Sequence, residues 1–333
     1  MDSPVGHIMQ VLVGYWQSQA LYVAAKLEVA DKLAAGEKPV AELARETATH
    51  EDTLFRLLRA LASIGIFQET SSKTFANTPA SEFLRKDVPG SQWAMAVMMG
   101  EEHYRAWGEL LYSVRTGKGA FEHVYGMRPF DYLATRPEQA AVFDAAMTSV
   151  HGRETGPLVA AYDFTSARVV ADVGGGNGTV ITAILQANPH LRGILYDLPH
   201  VIERARPNLE RAGVLDRCQT IGGSFFDSVP TGADIYLMRH IIHDWMDDEA
   251  ARILANCRQA LASGGLVLVA ETIVPPGNEP AFVKWLDLNM LVSPYGRERT
   301  REEYERLFTT SGLRLNRVID TPAEIQWLEG VPA

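Results

Sequence analysis

The run Val169-Val-Ala-Asp-Val-Gly-Gly-Gly-Asn-Gly-Thr179, followed at once by Val180-Ile-Thr-Ala-Ile-Leu185, constrains this chain more than any other stretch. Short runs of Val and Ala ending in glycines predict a strand covered on both faces, and the apolar segment behind them predicts a helix. Gly174, Gly175, Gly176 and Gly178 let the backbone turn tightly and approach a ligand that a Cβ would repel. The spacing decides which ligand. A dinucleotide fingerprint needs Gly-x-Gly-x-x-Gly, but counted from Gly174 its third glycine falls on Thr179, and counted from Gly175 its second falls on Asn177. What stands here is Asp-x-Gly-x-Gly-x-Gly, from Asp172 to Gly178. A carboxylate at that strand end repels a pyrophosphate and suits a cationic or amine-bearing ligand.

At 333 residues the chain is long for one core, and two domains are expected. With 47% hydrophobic and 22% charged residues it is an ordinary globular composition. The net charge of −10 disfavours nucleic acid, whose binding is dominated by cationic contacts with phosphates. Two cysteines, Cys218 and Cys257, with no Cys-x-x-Cys pair, support neither a disulfide framework nor a cysteine zinc site. The N-terminus carries no signal-peptide pattern and no apolar run reaches membrane-spanning length, so a soluble cytoplasmic protein without a membrane partner is expected.

Residues 7 to 35 read as a largely apolar helix, with Ile8, Val11, Leu12, Tyr15 and Trp16 on one face and Leu21 to Leu33 continuing onto others. That is more apolar surface than one core face needs. It fits a subunit interface or a helix buried in its own domain. From Pro39 the order is helix, turn, helix over 51 to 64, then a hairpin around Ser71-Ser72, a winged-helix layout. Such folds often read DNA, but here the second helix begins Glu51-Asp52, and residues 1–100 hold nine cations against eleven carboxylates. Scaffolding or dimerisation is the better reading. Residues 91 to 155 are rich in Met and aromatics, which suits a core and also a pocket for a flat aromatic ligand.

After residue 160, strand and helix patterns alternate. Strands are expected at 168–173, 192–196, 217–221, 233–238 and 265–271, with a further pair at 282–292 and 313–319. Helices are expected at 178–187, 200–212, 248–262 and 300–311. The class is α/β, a doubly wound sheet with ligands at the carboxyl ends of its strands. Asp197 ends the second strand 23 residues after Gly174, placed to accept both hydrogen bonds of a ribose diol. Ser224 and Phe225, in Gly222-Gly-Ser-Phe-Phe, are placed to edge and cover an adenine. In Tyr236-Leu-Met-Arg-His-Ile-Ile-His-Asp-Trp245, His240 and His243 are three apart, but no third metal ligand accompanies them at a recognisable spacing, and no metal is expected. His243 reads instead as a general base, since a neutral imidazole can take a proton near pH 7.

Taken together, Asp-Val-Gly-Gly-Gly-Asn-Gly, Tyr-Asp-Leu-Pro, Gly-Gly-Ser-Phe-Phe, His-Asp-Trp and Gly-Arg-Glu-Arg-Thr (296 to 300) resemble the ordered motifs of S-adenosylmethionine-dependent small-molecule O-methyltransferases. That family includes plant caffeic acid enzymes and bacterial antibiotic and phenazine enzymes. The resemblance covers nearly the whole chain. It implies a class I methyltransferase Rossmann-like domain over 101–333, with 101–155 as a helical linker contributing to the acceptor pocket. It also implies an N-terminal winged-helix dimerisation domain over 1–100, and a homodimer. S-adenosylmethionine would be the cofactor. Gly174 and Gly176 would contact its methionine part, Asp197 its ribose, and Ser224 and Phe225 its adenine, with Asp172, Leu198 and Arg239 completing the set. His243 would be the base, held by Glu271 and Glu298, while Phe143, Met147, His240 and Met290 would line the pocket for a small aromatic hydroxyl acceptor. Two positions depart from the pattern: many relatives have Asp where Ser224 stands, and plant members have Trp where His240 stands.

Magnitudes bear on the mechanism. A phenol of pKa about 10 facing a histidine of about 6.5 leaves full proton transfer uphill by roughly 5 kcal/mol. Nearby carboxylates would narrow that gap, and aligning oxygen, methyl and sulfonium would supply much of the rate. A nucleotide-dependent oxidoreductase and a non-catalytic binding protein on the same fold are the alternatives.

Overall fold

The computed structural model describes residues 3–333. Contacts divide the chain into two compact units, one of Met1–Gly108 with Phe130–His151 and the other of Glu109–Pro129 with Gly152–Ala333. The units interleave along the chain.

In the first unit, helix Pro4–Lys26 begins with Ser3, whose Oγ accepts the Gly6 N–H at 3.0 Å, and with proline at its first position. The long helix expected over 7–35 breaks at Glu28, which takes a left-handed φ of 57°. The chain thereby turns Val29, Ala30 and Leu33 into the core of this unit. Most of the apolar surface before the break stays outside: Val5, Ile8, Val11, Leu12, Tyr15 and Trp16 are each more than half exposed. Helices Val40–Glu46 and Glu51–Ala62 pack Leu43, Leu54, Leu58 and Leu61 against Phe67 and Phe75. The last two residues come from strands β2 (Phe67–Ser71) and β3 (Thr74–Asn77), which with β1 (Lys38–Pro39) form an antiparallel sheet of order β1-β3-β2. This is the winged-helix arrangement expected from the sequence. Phe143 and Met147 lie in a satellite cluster of the same unit, with Trp93, Met95, Met98 and Ala146.

The second unit is built on a seven-stranded sheet. Its strands are β4 (Val169–Val173), β5 (Arg192–Asp197), β6 (Cys218–Gly222), β7 (Ile235–Arg239), β8 (Leu266–Glu271), β9 (Leu313–Ile319) and β10 (Gln326–Pro332). The order is β6-β5-β4-β7-β8-β10-β9, parallel through the first five, with β10 antiparallel to both neighbours. Helices Thr179–Ala187, Pro199–Arg211, Asp247–Ala260 and Arg301–Thr310 fall where the alternation placed them. Successive residues of β4 point to opposite faces, so Val170 joins Ile181, Leu195, Leu237 and Trp327, whereas Ala171 and Val173 join Tyr236, Met238 and Phe308. Each fully buried Val, Leu, Ile, Phe or Met among them stabilises the fold by roughly 1.5–3 kcal/mol.

One expectation needs correction, and one strand was not foreseen. Residues 282–292 form a helix, Phe282–Val292, not a strand; a continuous apolar run carries no period that separates the two. And β10 escapes the sequence reading, because Gly330 and Pro332 disguise it and a bulge at Glu329/Gly330 breaks its register. Among the described residues, no helix is long and apolar enough to cross a membrane.

Candidate active site

The glycine turn leaves β4 at the point where the sheet order reverses between β5 and β7, the position at which doubly wound sheets open on a ligand. Gly174, Gly176 and Gly178 all adopt left-handed φ, of 70°, 56° and 79°. Only glycine takes such values freely. A Cβ on Gly176 would meet nothing within 4 Å, so open space adjoins the backbone there. Asp172 is fully buried at the strand end, and its Oδ2 accepts the Ile181 N–H at 3.2 Å. Burial pushes its carboxyl up to about 7, against the opposing pull of the Arg239 charge. Arg239 ends β7 and donates to Thr155 Oγ1 at 2.9 Å.

Asp197 ends β5. Its Oδ2 accepts the Gly176 N–H at 2.8 Å and its Oδ1 the Leu198 N–H at 2.7 Å, which ties the second strand end to the glycine turn. Burial raises its carboxyl above the usual range, and these two bonds oppose the rise. A carboxylate offers about four acceptor positions, so two N–H donors leave capacity for a diol. At the third strand end, Ser224 Oγ accepts the Phe226 N–H at 3.3 Å. Phe225 stands edge-on to Phe226 and Trp245 at 5.0 and 5.8 Å, its carbonyl held by Asn256.

The densest cluster of ionisable groups begins one residue past β7. His240 takes a left-handed φ of 53° and donates its backbone N–H to the Ala270 carbonyl at 3.2 Å, so the register of β7 against β8 sets it beside Glu271. Its Nε2 lies 2.8 Å from Glu154 Oε2. His243, on the single turn Ile242–Asp244, places Nδ1 2.8 Å from Glu298 Oε1. Both imidazoles reach toward the same Glu271 oxygen, Oε2, at 3.5 Å from His243 Nδ1 and 3.6 Å from His240 Nδ1. Their rings stack with centroids 5.1 Å apart. For His243, burial is the largest single influence and opposes the charged form. The fields of Glu271, Glu298 and Asp244 together outweigh it and raise the imidazole well above its ordinary value. Burial likewise pushes Asp244 up to about 7, against the His243 charge, whereas Glu271, although buried, is held low by the two histidines.

The segment after helix Phe282–Val292 clamps this turn. The Arg297 N–H donates to the His243 carbonyl at 2.8 Å. Arg299, completely buried, donates to the carbonyls of Ile242 and Trp245 at 3.0 and 2.8 Å and pairs with Asp247 at 2.9 Å. Gly296 lies so close that a Cβ there would overlap the His243 carbonyl oxygen. Met290 is buried just before this segment and accepts the Tyr295 and Gly296 N–H groups.

The second unit thus brings together His243, Glu271, Glu298, His240 and Met290, and carries Asp172, Gly174, Gly176, Asp197, Leu198, Ser224, Phe225 and Arg239 at or beside its strand ends. Phe143 and Met147 belong to the first unit. Sequence reasoning missed Glu154 and Arg299. Arg299 had a usable signal, standing next to Glu298 in Arg-Glu-Arg-Thr; Glu154, in the long helix Pro137–Ala161, had none.

Sheet order, glycine turn and strand-end carboxylates together define a class I methyltransferase. More particularly, the chain belongs to the O-methyltransferase family, whose O-methyltransferase domain matches residues 107–314 and whose dimerisation domain matches 9–87. A phenazine O-methyltransferase of Lysobacter antibioticus is 44% identical, covering 98% of this chain and 95% of that protein. A phenazine-1-carboxylate N-methyltransferase of Pseudomonas aeruginosa is 35% identical, covering 97% and 96%. Among solved structures, a neocarzinostatin-pathway O-methyltransferase crystallised with S-adenosylmethionine and 2-hydroxy-5-methyl naphthoic acid superimposes with a TM-score of 0.86, at 33% identity, over 95% of this chain and 96% of that one. The protein is an S-adenosylmethionine-dependent methyltransferase, of a family that needs no metal for the transfer.

Proposed function

We propose that the protein transfers a methyl group to a hydroxyl of a small aromatic acceptor, with His243 as general base. One observation carries this reading: the 2.8 Å bond from His243 Nδ1 to Glu298. A neutral imidazole that donates from Nδ1 holds its lone pair on Nε2, ready for the acceptor proton. When bound, S-adenosylmethionine supplies an electrophilic methyl on a sulfonium. Around it, Gly174 and Gly176 give backbone without side-chain obstruction, Asp197 offers its remaining acceptor capacity to the ribose, and Ser224 and Phe225 edge the adenine. Asp172, Leu198 and Arg239 complete that wall. His240 and Met290 line the acceptor side. Residues 1–100 act as the pairing domain of a homodimer and 101–333 as the catalytic domain, with 101–155 contributing to the acceptor pocket.

As the acceptor oxygen attacks, its proton passes to His243 Nε2. Glu298 and Glu271 stabilise the imidazolium that forms. Replacing His243→Ala is expected to lower turnover by roughly 10² to 10⁴ while cofactor affinity, measured by calorimetry, stays nearly constant. A variant turning over at the wild-type rate would remove His243 from the mechanism. Mass spectrometry for a 14 Da gain across phenolic and phenazine acceptors, including amines, identifies the acceptor class. The nitrogen arm matters because the Pseudomonas aeruginosa relative is named for N-methylation.

A further inference from the structure

We propose that His240, His243 and Glu271 form a capture site for a divalent ion of borderline softness, such as Zn²⁺, and that its occupation switches the base off. Glu271 is completely buried, and its Oε2 has no hydrogen-bond partner among the described residues. That orphaned oxygen is the one both imidazoles approach, at 3.5 and 3.6 Å from their Nδ1 atoms. These separations are too long for hydrogen bonds. They match the edge of a zinc tetrahedron, about 3.4 Å for bonds near 2.1 Å. One nitrogen from each imidazole and one Glu271 oxygen all fall within 4.8 Å of one another, so the imidazoles must draw together to close the third edge. Glu298 Oε1, 2.8 Å from His243 Nδ1, is hydrogen-bonded to it, and coordination through Nδ1 would replace that bond.

One of the two histidines already has the outer partner usual at metal sites. Metal-bound histidines characteristically donate their other ring N–H to a carboxylate, which fixes tautomer and orientation. His240 has that arrangement, with Nε2 2.8 Å from Glu154 Oε2. The left-handed backbone at His240, φ 53°, folds the strand end back so that two histidines three residues apart converge on one carboxylate. Sequence spacing alone could not show the third ligand, which arrives from the neighbouring strand 28 residues after His243.

The consequence follows from the imidazole ring. Two metal–nitrogen bonds and one metal–oxygen bond form and hydration water leaves. When His243 coordinates through Nδ1, the ring keeps one proton, on Nε2, and a ring that starts as imidazolium releases its other proton to solvent. Nε2–H cannot accept the acceptor's proton. This consequence, though not the ion binding itself, rests on His243 being the base.

The test is equilibrium dialysis of tag-free, chelator-stripped full-length protein against ZnCl₂, with bound metal counted by mass spectrometry and turnover followed in parallel. One ion per chain is expected, with turnover lost over the same concentration range and no such effect of MgCl₂. His240→Asn, which tolerates the left-handed backbone, should lose the ion while keeping its circular dichroism. Glu154→Gln should weaken binding about 10- to 100-fold. Absence of stoichiometric zinc in the wild type, or its retention in His240→Asn, overturns the site. Binding without inhibition would uphold the site and count instead against His243 as the base.

Discussion

At the scale of single residues, the decisive quantity for the proposed mechanism is the basicity of His243. An unperturbed histidine lies roughly 3.5 pKa units below a phenol. The carboxylates around His243 raise it well above the ordinary value, which narrows that gap. The same shift leaves the resting imidazole protonated below its raised pKa, where it cannot act. Turnover should therefore rise with pH along an acid limb lying above 6.5. Glu298→Gln removes one of the stabilising charges, so the limb should move to lower pH, toward the ordinary histidine value, while the maximal rate falls because a weaker base meets the same phenol. A limb that stays in place, read from initial rates between pH 5 and 10, would mean that another group titrates there.

At the scale of elements, the site depends on a clamp between two loops that follow different strands. Arg299 holds the Ile242 and Trp245 carbonyls on either side of His243. Its replacement by Met would leave buried acceptors unpaired, at about 1–3 kcal/mol each. Denaturant melts should show a loss of about 2–4 kcal/mol, and turnover should fall more steeply than cofactor affinity. A variant with full stability and full turnover would show that Arg297 and Glu298 suffice. This element-level arrangement also marks what was legible in the sequence. The glycine turn, Asp197 and His243 were legible as local signals at strand ends, whereas Glu271 and Glu298 came only from the resemblance of their motifs. The helix at 282–292 was not legible, since an apolar run has no telling period. Nor was the approach of Glu154 to His240, 86 residues away, or the way β7 and β8 set Glu271 between two histidines. Those depend on register, which no single segment encodes.

At the scale of the whole molecule, helix Pro4–Lys26 carries a stripe of exposed Ile8, Leu12 and Trp16 at helical spacing. Surface this apolar is expected to be covered by a second subunit, in keeping with the dimerisation domain matched at 9–87. Leu12→Glu with Trp16→Glu should convert a dimer to a monomer in light scattering. A wild type that is itself monomeric at micromolar concentration would refute the homodimer.

The groups proposed as catalytic also enter the fold from three separate places: His243 after β7, Glu271 at the end of β8, and Glu298 beyond the helix that follows. Parallel pairing of β7 with β8 requires the intervening crossover to close first, and such non-local contacts form slowly. Competence for chemistry is thus among the last properties the chain acquires during synthesis. On dilution from denaturant, helical signal should return before turnover does, and a nascent chain stopped before Gly296 would have its glycine turn but no clamp on the His243 turn.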